Sequence, residues 1–245
     1  MACPRCVATI VGKERAQAPF LTASISTHAF LAVKMYERSD ERSIHRATEI
    51  IARGGVIAFR TDTFYGLGAD PFNRSAVQRI KELKGREEGK PILVVISYRN
   101  QVERFISERS PQFDVLTEKF WPGPLTLIGK AAPQVPTDLT ADTGTIGIRL
   151  PDDDEVRALI RSCGGALTAT SANRSGQEPA RTAAEVDRYF GNAIDLIVDG
   201  GEARTDRPST VVDVSAAEPT LNREGAIAWA EIQKVIQNGE RLREG

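Results

Sequence analysis

From residue 43 to residue 236 the apolar positions alternate between helical spacing and short continuous runs. Ile44, Ala47, Ile50 and Ile51 form a helical stripe that stops at Gly54-Gly55, and residues 56–59 then make a β-branched and aromatic run that predicts a strand. Thr61, Asp62 and Thr63 stand at its far end, followed by Gly66 and Gly68. Asn73 is placed to cap a second helix carrying Ala76, Val77, Ile80 and Leu83 and ended by Gly85, with a strand expected over 91–97. An amphipathic segment over 105–120 runs into Trp121-Pro122-Gly123-Pro124, which cannot continue a helix.

Strands are expected next at 125–128 and 145–150, then a helix capped by Asp152 with Val156, Leu159, Ile160 and Cys163 on its apolar side, closed by Gly164-Gly165. A strand over 166–170 leads into Ser171-Ala172-Asn173. Thr182 and Glu185 form a capping box for the following helix through Tyr189 and Phe190. Strands at 193–198 and 210–214 flank a loop, 199–209, that holds Arg204, Arg207 and Ser209, and 228–236 is a final amphipathic helix. Alternating strands and helices indicate an α/β protein. Some connections are too short for parallel crossovers, so the sheet is expected to be mixed.

Composition narrows the class. With 245 residues and 41% hydrophobic content, one main domain is the simplest arrangement, and a formal net charge of −1 means that any anion site is local rather than a property of the whole surface. No apolar run approaches the length that spans a bilayer, so a cytoplasmic protein with no membrane partner is expected. Residues 1–40, with Cys3, Cys6 and His28, lack a core-forming period and read as a poorly ordered N-terminal extension. The main domain is expected over 41–238, with a tail at 239–245. The extension is Ser/Thr-rich and poor in acids, which fits a weak organellar transit peptide or an upstream start before Met35. Its Cys-x-x-Cys has no second copy to complete a zinc site, since Cys163 is the other cysteine.

Both histidines, His28 and His45, precede the glycine-rich centre, which excludes a Ser-His-Asp triad or a histidine metal site in the main body, and no Walker A motif is present. What remains is hydroxyls, amides and cations at strand ends. Thr61 to Thr63 read either as a polar turn or as a hydrogen-bonding site at the ligand-binding edge of a sheet. Lys84 and Arg86 straddle a helix end, where each cation contributes about 0.3–1 kcal/mol against the helix dipole. With Lys90 they could instead grip a polyphosphate. Phosphoryl or nucleotidyl transfer fits this set, because it depends chiefly on positioning and charge neutralisation.

In chain order, Arg60-Thr-Asp-Thr-Phe-Tyr-Gly-Leu-Gly, Lys84-Gly-Arg86, Phe120-Trp-Pro-Gly-Pro-Leu-Thr, Ile148-Arg149-Leu-Pro, Thr170-Ser-Ala-Asn and Pro208-Ser-Thr-Val-Val-Asp resemble the YrdC family of threonylcarbamoyl-AMP synthases, over roughly residues 43–236. The resemblance implies a twisted mixed parallel/antiparallel sheet flanked by helices around a large cleft. It implies an enzyme that makes threonylcarbamoyl-AMP and pyrophosphate from L-threonine, bicarbonate and ATP, with Mg²⁺ carried by the nucleotide. Downstream partners would be the proteins that transfer the threonylcarbamoyl group to tRNA. By position, Lys84 and Arg86 would be catalytic, and Lys84, Arg86, Lys90, Thr145, Ser171, Asn173, Ala180 and Arg223 would bind ATP. Thr61, Arg149, Ala169 and Ser209 would bind threonine, with Ala169 and Ala180 acting through their main chain.

The chain departs from the family pattern at Arg60 and Glu87, where proline is usual, and at Val95, which is a threonine-contacting histidine in some members. Two alternatives remain: a domain that forms carbamoyl-AMP from carbamoyl phosphate, and an RNA-binding module, which the near-zero net charge makes a secondary role.

Overall fold

The computed structural model describes residues 36–85 and 90–244, all within one compact unit, Val33–Gly245. In chain order the strands are β1 (Tyr36–Arg38), β2 (Ile57–Arg60), β3 (Tyr65–Gly68), β4 (Val94–Ile96), β5 (Leu125–Lys130), β6 (Thr145–Arg149), β7 (Ala166–Thr168), β8 (Thr170–Ser171), β9 (Leu196–Asp199), β10 (Thr210–Asp213) and β11 (Thr220–Arg223). The helices are α1 (Glu41–Ala52), α2 (Arg74–Lys84), α3 (Pro111–Phe120), α4 (Thr137–Thr140), α5 (Asp154–Ser162), α6 (Ala183–Phe190) and α7 (Trp229–Glu244).

Local chemistry sets most helix limits. Asn73 accepts the Ala76 N–H and Gly85 closes α2 in the left-handed region at φ 58°, while Thr182 and Glu185 form the expected box at α6. At α5 the cap is Asp153 rather than Asp152, because its carboxylate is the one that reaches the Glu155 and Val156 amides.

The strands form two mixed sheets, one in the order β1-β9-β2-β3-β8 and the other β11-β10-β5-β6-β4-β7. The expected strand over 166–170 is in fact split between them. β7 pairs with β4 in the second sheet and β8 with β3 in the first, so the chain changes sheets across the single residue Ala169. Strand β2 is buried on both faces: Ala58 joins the larger apolar cluster with Leu67, Phe105, Leu125 and Ile148, whereas Ile57 and Phe59 join a second with Ile50, Val95, Leu159 and Leu196.

Four other expectations need correction. Residues 36–40 belong to the fold: β1 runs parallel to β9, and Asp40 makes a reciprocal capping box with Ser43 at α1. The tail at 239–245 does not begin where expected, because α7 continues through Gly239 to Glu244. There is room for no side chain at that glycine, since a Cβ would stand 2.8 Å from Val115 Cγ2 on α3. The segment 105–120 is not one helix, since Ser110 caps α3 and Pro111 opens it. Strands β3 and β11 lie where no strand was expected. The remainder of the extension, with Cys3, Cys6 and His28, lies outside the described residues.

Candidate active site

The two sheets enclose a cavity of about 460 Å³. Strand period explains which side chains face it. On β6, Thr145, Gly147 and Arg149 line the cavity while Ile146 and Ile148 enter the core, and on β5 Thr126 and Ile128 line it while Leu125 and Leu127 do not. Gly147 keeps the floor open, as a Cβ there would meet Leu93 Cβ at 3.3 Å and Thr126 Cγ2 at 3.4 Å.

Thr61, Lys84, Lys90, Thr145, Arg149, Ala169, Ser171, Asn173, Ser209 and Arg223 all line this one cavity. Arg86 lies outside the described residues. Ala180 is not brought to the lining: its N–H donates to the Ala172 carbonyl and its own carbonyl accepts from Tyr65, while neighbouring Pro179 faces the space. The Ala169 amide is likewise spent, on the Leu93 carbonyl. Val95 is fully buried in the second apolar cluster and does not line the cavity.

At one end stands a buried arginine with a hydroxyl collar. Arg149 donates from Nη1 to Thr63 Oγ1 at 3.2 Å and from Nη2 to Thr61 Oγ1 at 3.3 Å. Asp62 Oδ1 lies 2.9 Å from Nη1 as an ion pair, yet it is not aligned to accept a hydrogen bond, and Arg149 Nε has no hydrogen-bond partner. A second guanidinium, Arg223, donates to the Ser209 carbonyl at 2.9 Å and to Ser209 Oγ at 3.2 Å, and that hydroxyl pairs with Thr126 Oγ1 at 3.0 Å. Burial, and then the Arg149 charge, lower the Arg223 pKa. Two cations that destabilise each other across a shared space favour an anion between or beside them.

The other end is organised by Lys84. Its ammonium donates to the carbonyls of Ser171 and Asn173 and to Asn173 Oδ1, and Ser171 Oγ donates to the same amide oxygen at 2.6 Å. The Ser175 amide closes the loop on the Lys84 carbonyl at 2.9 Å. Lys84 thus leaves its own helix end to hold the Ser171-Ala172-Asn173 turn. Tyr65, which also faces the cavity, shares its hydroxyl between Asp199 Oδ1 at 3.1 Å and the Gly201 carbonyl at 2.7 Å, and burial followed by the Asp199 charge raises its pKa.

Sequence reasoning missed Thr126 and Asn222 as lining residues, whereas Thr63 lies in the Thr61 to Thr63 run it singled out. Thr126 was legible in principle: a lone hydroxyl between two core leucines must face the opposite side of a strand.

A family model described as "Telomere recombination", Sua5/YciO/YrdC, matches residues 49–225. A threonylcarbamoyl-AMP synthase of Pyrococcus abyssi is 36% identical over 206 residues, which is 84% of this chain and 61% of that relative. One of Thiobacillus denitrificans is 39% identical over 168 residues, 69% of this chain and 89% of that protein. The crystal structure of P. abyssi Sua5 complexed with L-threonine superposes with a TM-score of 0.79 at 36% identity, covering 82% of this chain and 60% of that one. E. coli YciO gives a TM-score of 0.70 at 28% identity, covering 79% of this chain and 96% of that one. The chain therefore spans about three fifths of the P. abyssi protein's length. With the family match running from α1 to the end of β11 and so taking in both sheets and the cavity between them, the chain belongs to the Sua5/YciO/YrdC family.

Proposed function

We propose that the chain is a threonylcarbamoyl-AMP synthase, joining L-threonine, bicarbonate or carbon dioxide, and ATP with release of pyrophosphate, for threonylcarbamoyladenosine in tRNAs that read codons beginning with A. One observation carries this: a single cavity gathers the hydroxyl-collared Arg149 with Thr61 and Ser209 at one end and the Lys84, Ser171 and Asn173 cluster at the other. The first end suits an amino-acid carboxylate, because a guanidinium binds a carboxylate through two parallel N–H bonds. The second presents a cation and small polar groups to the nucleotide, joined by Lys90, Thr145 and, from the resemblance, Arg86, while Arg223, which the resemblance also gives to ATP, stands against Ser209 at the first end.

The threonine amine attacks the carbon of carbon dioxide, forming a C–N bond and losing a proton to give a carbamate. A carbamate oxygen then attacks the α-phosphorus, and the bond to the bridging oxygen of the β-phosphate breaks. No side chain becomes a nucleophile, and the protein positions reactants and neutralises charge on the leaving pyrophosphate. Mg²⁺ would enter on the nucleotide, because a polyphosphate leaving group needs cationic help. There it would supply charge neutralisation of the triphosphate. The labile product would pass to an acceptor protein that transfers the threonylcarbamoyl group to tRNA, in a setting proposed to be the cytoplasm.

Pyrophosphate release measured with ATP, bicarbonate and each amino acid in turn is the test. Release that requires L-threonine and bicarbonate together is expected. Turnover with carbamoyl phosphate in the absence of threonine would replace this function with carbamoyl-AMP formation.

A further inference from the structure

The amino-acid end of the cavity hangs from three segments: the end of β2 leading into Thr61, the end of β6 at Arg149, and the 200–208 loop leading into Ser209. Behind the cavity all three meet again, on one carboxylate. Asp153 lies four residues beyond Arg149, and its side chain is 1% exposed. Its Oδ1 accepts the Glu155 and Val156 amides at 3.1 and 3.2 Å, which fixes the start of α5. Its Oδ2 takes two guanidinium groups, Arg60 Nη2 at 2.9 Å and Arg204 Nη2 at 3.3 Å.

Arg60 ends β2 and adjoins Thr61, and Arg204 sits in the loop five residues before Ser209. A separate contact lays the loop on Arg60. A Cβ at Gly200 would stand 2.8 Å from Arg60 Nε and 3.1 Å from Arg60 Cβ, so the loop backbone rests directly on that side chain. From the cavity side, the Tyr65 hydroxyl holds the same turn through the Gly201 carbonyl at 2.7 Å.

We propose that Asp153 is a positioning residue for the amino-acid end: by gripping Arg60 and Arg204 at once it fixes Thr61, Arg149 and Ser209 relative to one another. This rests on the proposed assignment of that end to threonine. Arg60, Asp153 and Arg204 do not line the cavity, so they act through the residues that do. Asp153 Oδ2 accepts a hydrogen bond from Arg60 and forms an ion pair with Arg204, and losing either partner releases one segment from the others.

Arg204→Gln is the cleanest variant, because that side chain is 58% exposed and its removal cuts one tether without opening the core. Its KM for threonine is expected to rise roughly two- to fivefold, the scale of a half-exposed ion pair, while KM for ATP, kcat and melting temperature stay put. Arg204→Lys should recover most of the loss. Asp153→Asn keeps the helix cap, since asparagine caps as well as aspartate, but weakens the hold on both arginines, so KM for threonine should rise by roughly tenfold. Adding Arg204→Gln to it should change little further, because the tether is already cut. If Asp153→Asn does not fold, the Arg204 variants decide the matter. An unaltered protein that releases no pyrophosphate in response to threonine removes the assigned function and this inference together. An active protein whose Arg204→Gln variant leaves KM for threonine unchanged, or raises it equally for ATP, overturns the inference alone.

Discussion

Three oxygens converge on the Lys84 ammonium, and two of them are carbonyls of a turn 87 and 89 residues further along the chain. Lys84→Ala would leave these acceptors without their donor, costing about 1–3 kcal/mol, more than the loss of a helix-end charge. Pyrophosphate release should fall by roughly a hundredfold or more at the same time, because the turn that presents Ser171 and Asn173 loses its anchor as well as its cation. Thermal melts and turnover on the one variant check both. Arg149→Lys should part the two effects. It keeps a charge opposite Asp62 but loses the fork that spans Thr61 and Thr63, so KM for threonine should rise by about tenfold or more with a small change in melting temperature. Lys84 at a helix end and Arg149 in a strand were given roles through the family resemblance the chain carries. Their partners were not legible, since nothing near Lys84 in the chain names Ser171.

At the scale of elements, glycines mark where backbone must pass close to the site. Gly225 follows β11, and a Cβ there would stand 2.2 Å from the Pro208 carbonyl oxygen and 2.5 Å from the Ser209 carbonyl carbon. Gly225→Ala must therefore displace the Pro208-Ser209 backbone, costing about 1–3 kcal/mol in urea unfolding and weakening threonine use. Strand β3 escaped sequence reading because Tyr65–Gly68 holds two glycines, which local preference assigns to a turn. It is a strand because β2 and β8 pair with it on either side. Strand β11 escaped for a related reason: its side chains are mostly exposed, so no apolar rhythm marks it, and only the ladder to β10 defines it.

For the whole molecule, the N-terminal limit of the fold is a measurable quantity. Deleting residues 1–34, which show no core-forming pattern, should leave melting temperature and turnover nearly unchanged. Deleting 1–40 removes β1 from its parallel pairing with β9 and the Asp40 cap from α1, and should cost at least about 1 kcal/mol. Alkaline stability reports on the packed interior. Burial pushes the Cys163 thiol up to about 11, and the Tyr65 hydroxyl is raised for the same first reason. An unfolded chain gives up the thiol proton first, so the Cys163 contribution is complete below the ordinary thiol range and is lost as pH rises toward about 11, while the Tyr65 contribution is lost at higher pH. Urea unfolding should show a loss of about 2 kcal/mol across that window, and Cys163→Ala should flatten the slope.

Helix limits were written in the chain itself, in Asn73 and Gly85 around α2 and in Thr182 and Glu185 at α6, because a cap bonds to backbone within three or four residues. The α/β class and the ordered motifs were equally local in kind, and most of the site residues that the resemblance named do line the cavity. Only the tertiary structure decided that there are two sheets rather than one, that the chain changes sheets at Ala169, and that Ala180 faces away while Thr126 faces in. It alone joined Arg60 to Asp153, 93 residues apart. Such choices depend on which buried groups find partners across the whole core, and a polar side chain satisfied by a distant oxygen leaves no periodic trace among its neighbours in sequence.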